Sequence, residues 1–285
     1  MPQLPGPAPA PATTLLYVTD LAYPARGRRY GDEDIFLTSR LRGEFALALC
    51  HPLDAQALLP GFDAVIVRNS GPVLHHQEAY DAFRAHALAT GARVYNPLTG
   101  RADMAGKGYL LDLTKAGYPV IPTVDAAADL HLLPQVAEYA VKPAQGADSI
   151  GLVFTADPAA HLAEAQAAPG ALLVQPRIDF AYEVSFYFVD DAFQYALYAP
   201  DPDRRWELVP YEPTPADLGF ARAFIGWNTL SHGIQRVDAC RAPGGELLLV
   251  ELEDLNPYLS LDLVPEPVRD AFVTALTGSL RSFLG

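Results

Sequence analysis

The most informative part of the chain lies near the C-terminus, where RVD (236–238) is followed by the apolar run LLLV (247–250) and then by ELEDLNP (251–257). The apolar run predicts a strand, and because successive side chains of a strand point to opposite faces, Glu251 and Glu253 share a face. A hairpin back to Asp238 places a third carboxylate beside them. Three carboxylates on one sheet face repel each other unless a cation lies between them, and oxygen ligands of this kind suit Mg²⁺. A solvated sheet edge that ends in an acidic turn is the alternative, and this segment alone favours neither.

The composition is that of an acidic globular protein. The 285 residues are 50% hydrophobic, enough for one large core or two to three smaller lobes. The formal net charge of −14 disfavours nucleic acid or an anionic membrane as a partner. Cys50 and Cys240 have neither disulfide-framework nor zinc spacing, which fits a reducing cytoplasm. Residues 1–13 predict a flexible Pro/Ala tail rather than a signal peptide, and no stretch reaches the roughly 18 apolar residues of a membrane span, so we expect a soluble, cytoplasmic protein.

Hydrophobic patterning separates the chain into a first part and a longer second part. In the first part, 15–19, 45–49, 64–67 and 93–95 predict strands, and 32–41 and 77–90 predict helices. This alternation predicts a doubly wound parallel α/β lobe over residues 14–96. In the second part, helices are predicted at 107–116 and 161–168, strands at 139–142, 151–154 and 171–175, and an antiparallel hairpin at 183–197. The second part is therefore predicted to be α+β.

A lysine before a glycine-containing loop gives the second clue to function. Lys142 ends the predicted strand 139–142, and Gly146 and Ser149 lie in the loop that follows. Backbone N–H groups near a glycine, a serine hydroxyl and a lysine charge together can bind a phosphate. For Lys142 alone, a lysine beside an ordinary hairpin is the better interpretation. A second lysine, Lys107, and the carboxylates downstream favour a triphosphate site.

In this order, the elements resemble the ATP-grasp superfamily of ATP-dependent ligases, which includes glutathione synthetases and D-alanine:D-alanine ligases. The resemblance covers most of the chain. It implies a substrate lobe (14–96), a central lid subdomain (97–170) and a C-terminal subdomain with the metal site (171–285), the last two clasping ATP. Within the superfamily, DAVIVR (63–68) and KGYLLDL (107–113) resemble a bacterial subgroup that includes D-cycloserine-forming enzymes.

The resemblance also implies roles for particular residues. Lys107 and Lys142 match two phosphate-binding lysines, residues 175–178 match the adenine hinge, and Arg236 matches an arginine next to the first metal ligand. The implied sets are Lys107, Lys142, Gly146, Ser149, Gln175, Pro176, Arg177, Ile178 and Glu183 for ATP; Asp238, Glu251, Glu253 and Asn256 for Mg²⁺, with Mn²⁺ as an alternative; Arg236 and Lys142 for catalysis; and Arg68 and Arg205 for substrate.

Two departures from the family pattern leave the function open. Glu253 stands where relatives have the asparagine of a Glu-x-Asn motif, and Asp254-Leu255-Asn256 offers a shifted register that keeps the amide. In the large loop, RRWE (204–207) replaces an arginine followed by a glycine pair. Three hypotheses remain: a ligase that joins a carboxylate to an amine through an acylphosphate, an ATP-driven cyclisation as in D-cycloserine formation, and a nucleotide-binding protein without turnover. The implied partners are ATP and amino-acid-like small molecules, and relatives are often dimers or tetramers.

Several side chains have two interpretations. Arg236 can stabilise an acylphosphate, or it can form a structural ion pair with the nearby carboxylates. Arg68 and Asp20 follow predicted strands of the first lobe, where α/β folds bind ligands, or they are solvated strand ends. His75 and His76 precede a predicted helix, and because adjacent helical residues diverge we expect exposed surface histidines there rather than a metal site.

Overall fold

A computed structural model describes residues 13–25, 28–68, 73–145, 151–164, 172–201, 204 and 206–285 of the chain. Its first lobe is built on a four-stranded parallel sheet with the order β4-β1-β5-β6. The elements of this lobe are β1 (Thr14–Val18), β2 (Pro24–Ala25), β3 (Arg28–Arg29), α1 (Tyr30–Leu41), β4 (Ala46–Cys50), α2 (Ala55–Leu58), β5 (Ala64–Val67), α3 (Gln77–Thr90) and β6 (Val94–Tyr95). The predicted parallel α/β lobe is confirmed.

Local sequence explains several of these elements. The whole of β5 is buried, which suits an apolar, β-branched run in a parallel sheet. Helix α3 ends where Gly91 takes the left-handed conformation (φ 65°), a conformation that glycine adopts without a steric penalty.

The second part of the chain forms two antiparallel sheets, as predicted. The smaller has the order β8-β7-β9, and the larger has the order β12-β11-β10-β13-β14. The elements are α4 (Tyr109–Lys115), β7 (Tyr139–Pro143), β8 (Val153–Thr155), α5 (Pro158–Glu164), β9 (Leu172–Pro176), β10 (Tyr182–Val189), β11 (Ala192–Ala199), β12 (Val209–Tyr211), α6 (Pro215–Asn228), β13 (Ile234–Arg241), β14 (Leu247–Glu253) and α7 (Glu266–Leu284). The subdomain boundaries drawn from the sequence stay predictions.

Helices α6 and α7 were not predicted from the sequence. Helix α6 begins with a capping box, in which the Thr214 side chain accepts from the Asp217 backbone and the Asp217 side chain accepts from the Thr214 backbone. Helix α7 joins the first lobe to the large sheet, since its Phe272 and Leu276 lie in one buried cluster with Tyr17 of β1 and Leu197 of β11. Among the described residues, no helix combines the length and apolar character that a membrane crossing requires.

Some sequence predictions fall on residues outside the described ranges. The Pro/Ala tail (residues 1–12 of it), Gly146, Ser149 and Arg205 are among them. The other candidate site residues all lie within the described ranges.

Candidate active site

The β13–β14 hairpin places the predicted acidic side chains on one face. In its register Arg236 lies opposite Glu253, and Asp238 lies opposite Glu251. Strand β10 flanks β13 on the other side, where the hydroxyl of Ser185 donates to Asp238 Oδ1 at 2.6 Å. The three carboxylates therefore share one end of the hairpin, as strand alternation predicted.

Arg236 lies at the centre of this acidic face. Its Nε is 2.9 Å from Asp238 Oδ1, its Nη2 is 2.9 Å from Asp238 Oδ2, and Nη2 also pairs with Glu253. Its Nη1 donates to the carbonyl of Tyr258 at 2.8 Å. Burial acts to lower the pKa of Arg236, but Asp238 and then Glu253 outweigh it and raise that pKa. The guanidinium is thus held in a fixed orientation, and its charge is shared between two carboxylates.

The same face is crowded with negative charge. Burial raises the pKa of Glu253 to about 8; Arg236 opposes the shift, and the carboxylates of Asp238 and Glu251 add to it. A divalent cation between these oxygens would relieve the repulsion and offset the burial of the charged form. An all-oxygen donor set with room for water and phosphate ligands is what Mg²⁺ requires, so these residues fit that ion.

Lys107 comes to this face from the segment before α4. Its Nζ is 3.0 Å from Glu251 Oε1, and its backbone N–H donates to the Ala144 carbonyl at 2.8 Å, next to the end of β7. Burial acts to lower the pKa of Lys107, but the neighbouring carboxylates, Glu251 first, outweigh it and raise that pKa. Lys107 therefore stays cationic beside Glu251.

Lys142, on β7, supplies the second positive charge. Burial lowers its pKa to about 8, with Glu251 acting against the shift and Lys107 adding to it. The chain contains three lysines, Lys107, Lys115 and Lys142, and two of them interact with Glu251. Lys107 and Lys142 are both partly buried and both interact with Glu251, so an anionic ligand beside them would find two positive charges with little competing hydration.

The predicted adenine hinge lies at the end of β9. Gln175 is buried, and its Nε2 donates to the hydroxyl of Thr123 at 2.8 Å, so its side chain serves the fold. Pro176 pairs with Tyr139 at the last position of the strand. After the strand, Arg177 pairs with Glu138 and stacks on Phe154, with 4.9 Å from its Cζ to the ring centre. The remaining hinge and ribose candidates, Ile178 and Glu183, are partly buried, and Glu183 lies on β10 opposite Cys240.

The structure gives the two possible registers of the acidic motif, Glu251/Glu253 and Asp254/Asn256, different surroundings. Asp254 is fully buried, and its carboxylate accepts from the backbone N–H groups of Ala102 (3.1 Å) and Met104 (2.9 Å) and from Asn228 Nδ2 (3.0 Å). An added Cβ at Gly100 would lie 2.2 Å from Asp254 Oδ2, so the 100–104 turn packs directly on this carboxylate. Asp254 therefore holds a turn, whereas Glu251 and Glu253 lie beside Asp238.

Two other predicted residues lie at the boundary with the first lobe. Asn256 Nδ2 donates to the Arg68 carbonyl at 3.3 Å, and Arg68 Nη2 donates to the Pro257 carbonyl at 2.8 Å. The Arg68 side chain is only 2% exposed and its Nη2 is 3.6 Å from Glu33 Oε1. The structure thus brings Asn256 and Arg68 to each other.

Glu33 is a buried contact that the sequence analysis missed. Its two oxygens accept from the backbone N–H groups of Leu259 (3.0 Å) and Leu261 (3.2 Å), on the segment that also carries the Tyr258 carbonyl bound by Arg236. Burial raises the pKa of Glu33 from 4.5 to about 7, against the charge of Arg68. A DE pair at the start of an amphipathic helix gives no signal of burial, because acidic residues are common in exposed first turns.

Comparisons with known proteins agree with this architecture. No family model and no curated protein matches the chain. Among solved structures, D-cycloserine synthetase DcsG aligns with a TM-score of 0.73 at 23% identity, over 94% of this chain and 99% of that one. The D-alanine–D-alanine ligase from Bacillus anthracis complexed with ATP aligns with a TM-score of 0.63 at 12% identity, over 96% and 97% of the two chains. The ATP-grasp ligase PsnB complexed with a precursor variant, Mg and ADP aligns with a TM-score of 0.60 at 17% identity, over 93% and 99%.

These likenesses show that the chain has the ATP-grasp fold. The fold that the sequence resemblance implied is thereby confirmed along nearly the whole chain.

Proposed function

We propose that the protein is an ATP- and Mg²⁺-dependent ligase that activates a carboxylate as an acylphosphate for attack by an amine. The observation that carries the proposal is the convergence of Lys107, Glu251, Glu253 and Asp238 around Arg236, with Lys142 close enough to interact electrostatically with Glu251. Cations and a hard-ligand set on an ATP-grasp fold suit a nucleoside triphosphate with its metal ion. Amino-acid-like substrates are proposed from the resemblance.

The chemistry needs positioning and charge neutralisation more than covalent help from the protein. A substrate carboxylate oxygen bonds to the γ-phosphorus while the bond from that phosphorus to the β–γ bridging oxygen breaks, giving ADP and an acylphosphate. An amine then bonds to the acyl carbon, inorganic phosphate leaves, and the amine loses a proton. Lys107 and Lys142 would neutralise phosphate oxygens during the first step.

The metal ion and Arg236 would neutralise the negative charge that the two lysines do not reach. Asp238, Glu251 and Glu253 would hold Mg²⁺, which supplies charge neutralisation at the β- and γ-phosphates when bound. Arg236, fixed by Asp238 and by the Tyr258 carbonyl, would orient that site and stabilise negative charge that develops next to it.

The direct test compares lysine variants for nucleotide binding. Lys142→Met and Lys107→Met should lose the thermal stabilisation that a non-hydrolysable ATP analogue with Mg²⁺ gives the wild type. Lys115→Met is the matched control, because Lys115 is an exposed residue in the last turn of α4. No stabilisation of the wild type, or equal stabilisation of all four proteins, would contradict the proposal.

Cyclisation is the second candidate, favoured by the likeness to the D-cycloserine synthetase DcsG. The two reactions differ in how many organic substrates they need. ADP release from ATP and a single substrate, without an added amine, would indicate cyclisation, whereas release that requires both a carboxylate and an amine would indicate ligation. Nucleotide binding without ADP release across an amino-acid panel would indicate a binding protein.

A further inference from the structure

Asp20, His51 and His76 form a second group of potential metal ligands, and none of them belongs to the acidic hairpin. Asp20 follows β1, His51 follows β4, and His76 ends a short helical turn after β5. We propose that these three side chains bind a divalent transition-metal ion of the Zn²⁺ type on the first lobe. The proposal does not depend on the proposed ligase activity, because it uses none of the residues assigned to that activity.

The distances match a zinc-sized site. One ligand atom from each residue lies within 4.8 Å of the other two. Asp20 Oδ2 is 3.2 Å from His76 Nε2 and 3.9 Å from His51 Nε2. Two ligands bound to Zn²⁺ at 2.0–2.1 Å in a tetrahedral arrangement are about 3.3 Å apart. The Asp20–His76 pair already has this spacing, whereas the Asp20–His51 pair, and the His51–His76 pair within its 4.8 Å, must shorten when the ion binds. The two imidazole rings meet edge-on, with centres 4.9 Å apart.

The carboxylate is held in the orientation that the site needs. Asp20 Oδ1 accepts from the backbone N–H of Ala22 at 3.0 Å, while Oδ2 faces both histidines. The side chains of Asp20 and His76 are 13% and 16% exposed, and that of His51 is 38% exposed. The group is therefore partly shielded but open to an entering ion. The expectation that both His75 and His76 are exposed is wrong for His76, because its ring pairs with Asp20 and packs against the ring of His51.

A hydrogen bond to His51 opposes metal binding and lowers the expected affinity of the site. His51 Nδ1 accepts from the Leu53 backbone N–H at 3.2 Å, so in this state the ring carries its hydrogen on Nε2. To bind a metal through Nε2, His51 must change to the tautomer that carries its hydrogen on Nδ1. The Leu53 N–H then loses its acceptor and must donate to water instead. Leu53 is exposed, so water can reach it. We therefore infer a site of moderate affinity rather than a permanently loaded one.

The donor set distinguishes this site from the acidic hairpin. Two imidazoles and one carboxylate suit Zn²⁺ and related ions, whereas three carboxylates suit Mg²⁺. Three protein ligands leave a coordination position for water or for a substrate group. The site also lies at the carboxyl ends of β1 and β4 in a sheet of order β4-β1-β5-β6, the edge where open α/β sheets bind ligands.

The test is a metal titration of the full chain. Protein stripped with a chelator and returned to excess Mg²⁺, which occupies the oxygen site, is titrated with Zn²⁺ by calorimetry and with Co²⁺ by visible absorption. We expect one Zn²⁺ per chain and the intense Co²⁺ bands of a site with low coordination number. His76→Gln, His51→Gln and Asp20→Asn should each weaken binding by about tenfold or more, since loss of a ligand costs at least as much as loss of a supporting contact.

Matched variants separate this site from chance binding. His75→Gln changes the exposed neighbour and should leave Zn²⁺ binding unchanged, and Glu251→Gln should leave it unchanged if the ion is not in the acidic hairpin. Asp20→Asn keeps the Oδ1 acceptor for Ala22, so it preserves the turn if a histidine variant fails to fold. Wild-type protein that binds no Zn²⁺ under these conditions, or variants of all three ligands that bind as the wild type does, would overturn the proposal.

Discussion

Replacement of Asp254 by Asn tests which register of the acidic motif faces the metal. The Asp254 carboxylate accepts hydrogen bonds from two buried backbone N–H groups and from Asn228. An asparagine amide has one carbonyl oxygen, which can keep the two donors that Asp254 Oδ2 accepts. Its NH₂ group then faces the backbone N–H of Met104, and this clash of two buried donors costs about 1–3 kcal/mol for each donor left unpaired. Removal of the Asp254 charge also eases the repulsion that, after burial, raises the pKa of Asp103, so we expect a net loss of about 2 kcal/mol.

The assay pairs urea unfolding with nucleotide binding. Asp254→Asn should lower the unfolding free energy but retain the thermal shift given by Mg²⁺ and an ATP analogue. Glu253→Gln, its matched variant one residue earlier, should lose most of the Mg²⁺-dependent part of that shift. The reasoning is refuted if Asp254→Asn unfolds like the wild type and loses the shift while Glu253→Gln keeps it, because that result would place the ion at Asp254 and Asn256.

Three further outcomes follow from buried contacts elsewhere in the fold. Because the pKa of Glu33 is raised from 4.5 to about 7, its ionisation opposes folding as pH rises through that range. Between pH 5 and pH 8 the unfolding free energy of Glu33→Gln should therefore rise by about 2.5 kcal/mol relative to that of the wild type, and a pH-independent difference would contradict this. Thr214→Ala removes the α6 capping box and should cost about 1 kcal/mol in urea unfolding, with Thr214→Ser as a control that restores the cap. Phe272→Ala empties a fully buried position between α7 and the first lobe and should cost about 3–5 kcal/mol, so a loss below about 1 kcal/mol would mean that α7 does not anchor the lobes.

The sequence predicted an element correctly where its hydrophobic periodicity matches the pattern of burial in the structure. Strand β5 and helix α3 were predicted at their observed bounds, because the first is a continuous β-branched run and the second is an amphipathic helix that ends at a left-handed glycine. The pairing of Glu251 and Glu253 with Asp238 followed from strand alternation and one hairpin. Helices α6 and α7 were not predicted, although the Thr214–Asp217 capping box and a proline in the first turn of each helix are sequence signals of a helix start.

The order of lysines, glycine loop and carboxylates could be read along the chain, as could the strand alternation that puts two glutamates on one face. Each short segment has these properties wherever it lies in the fold. The folded chain was needed to show that Asp254 supports a turn, that Glu33 and Arg68 are buried against residues 257–261, and that Asp20, His51 and His76 meet. Their sequence separations range from 25 to 228 residues. Contacts of that kind depend on how the lobes pack, and packing adds up small contributions from many distant side chains that no local pattern contains.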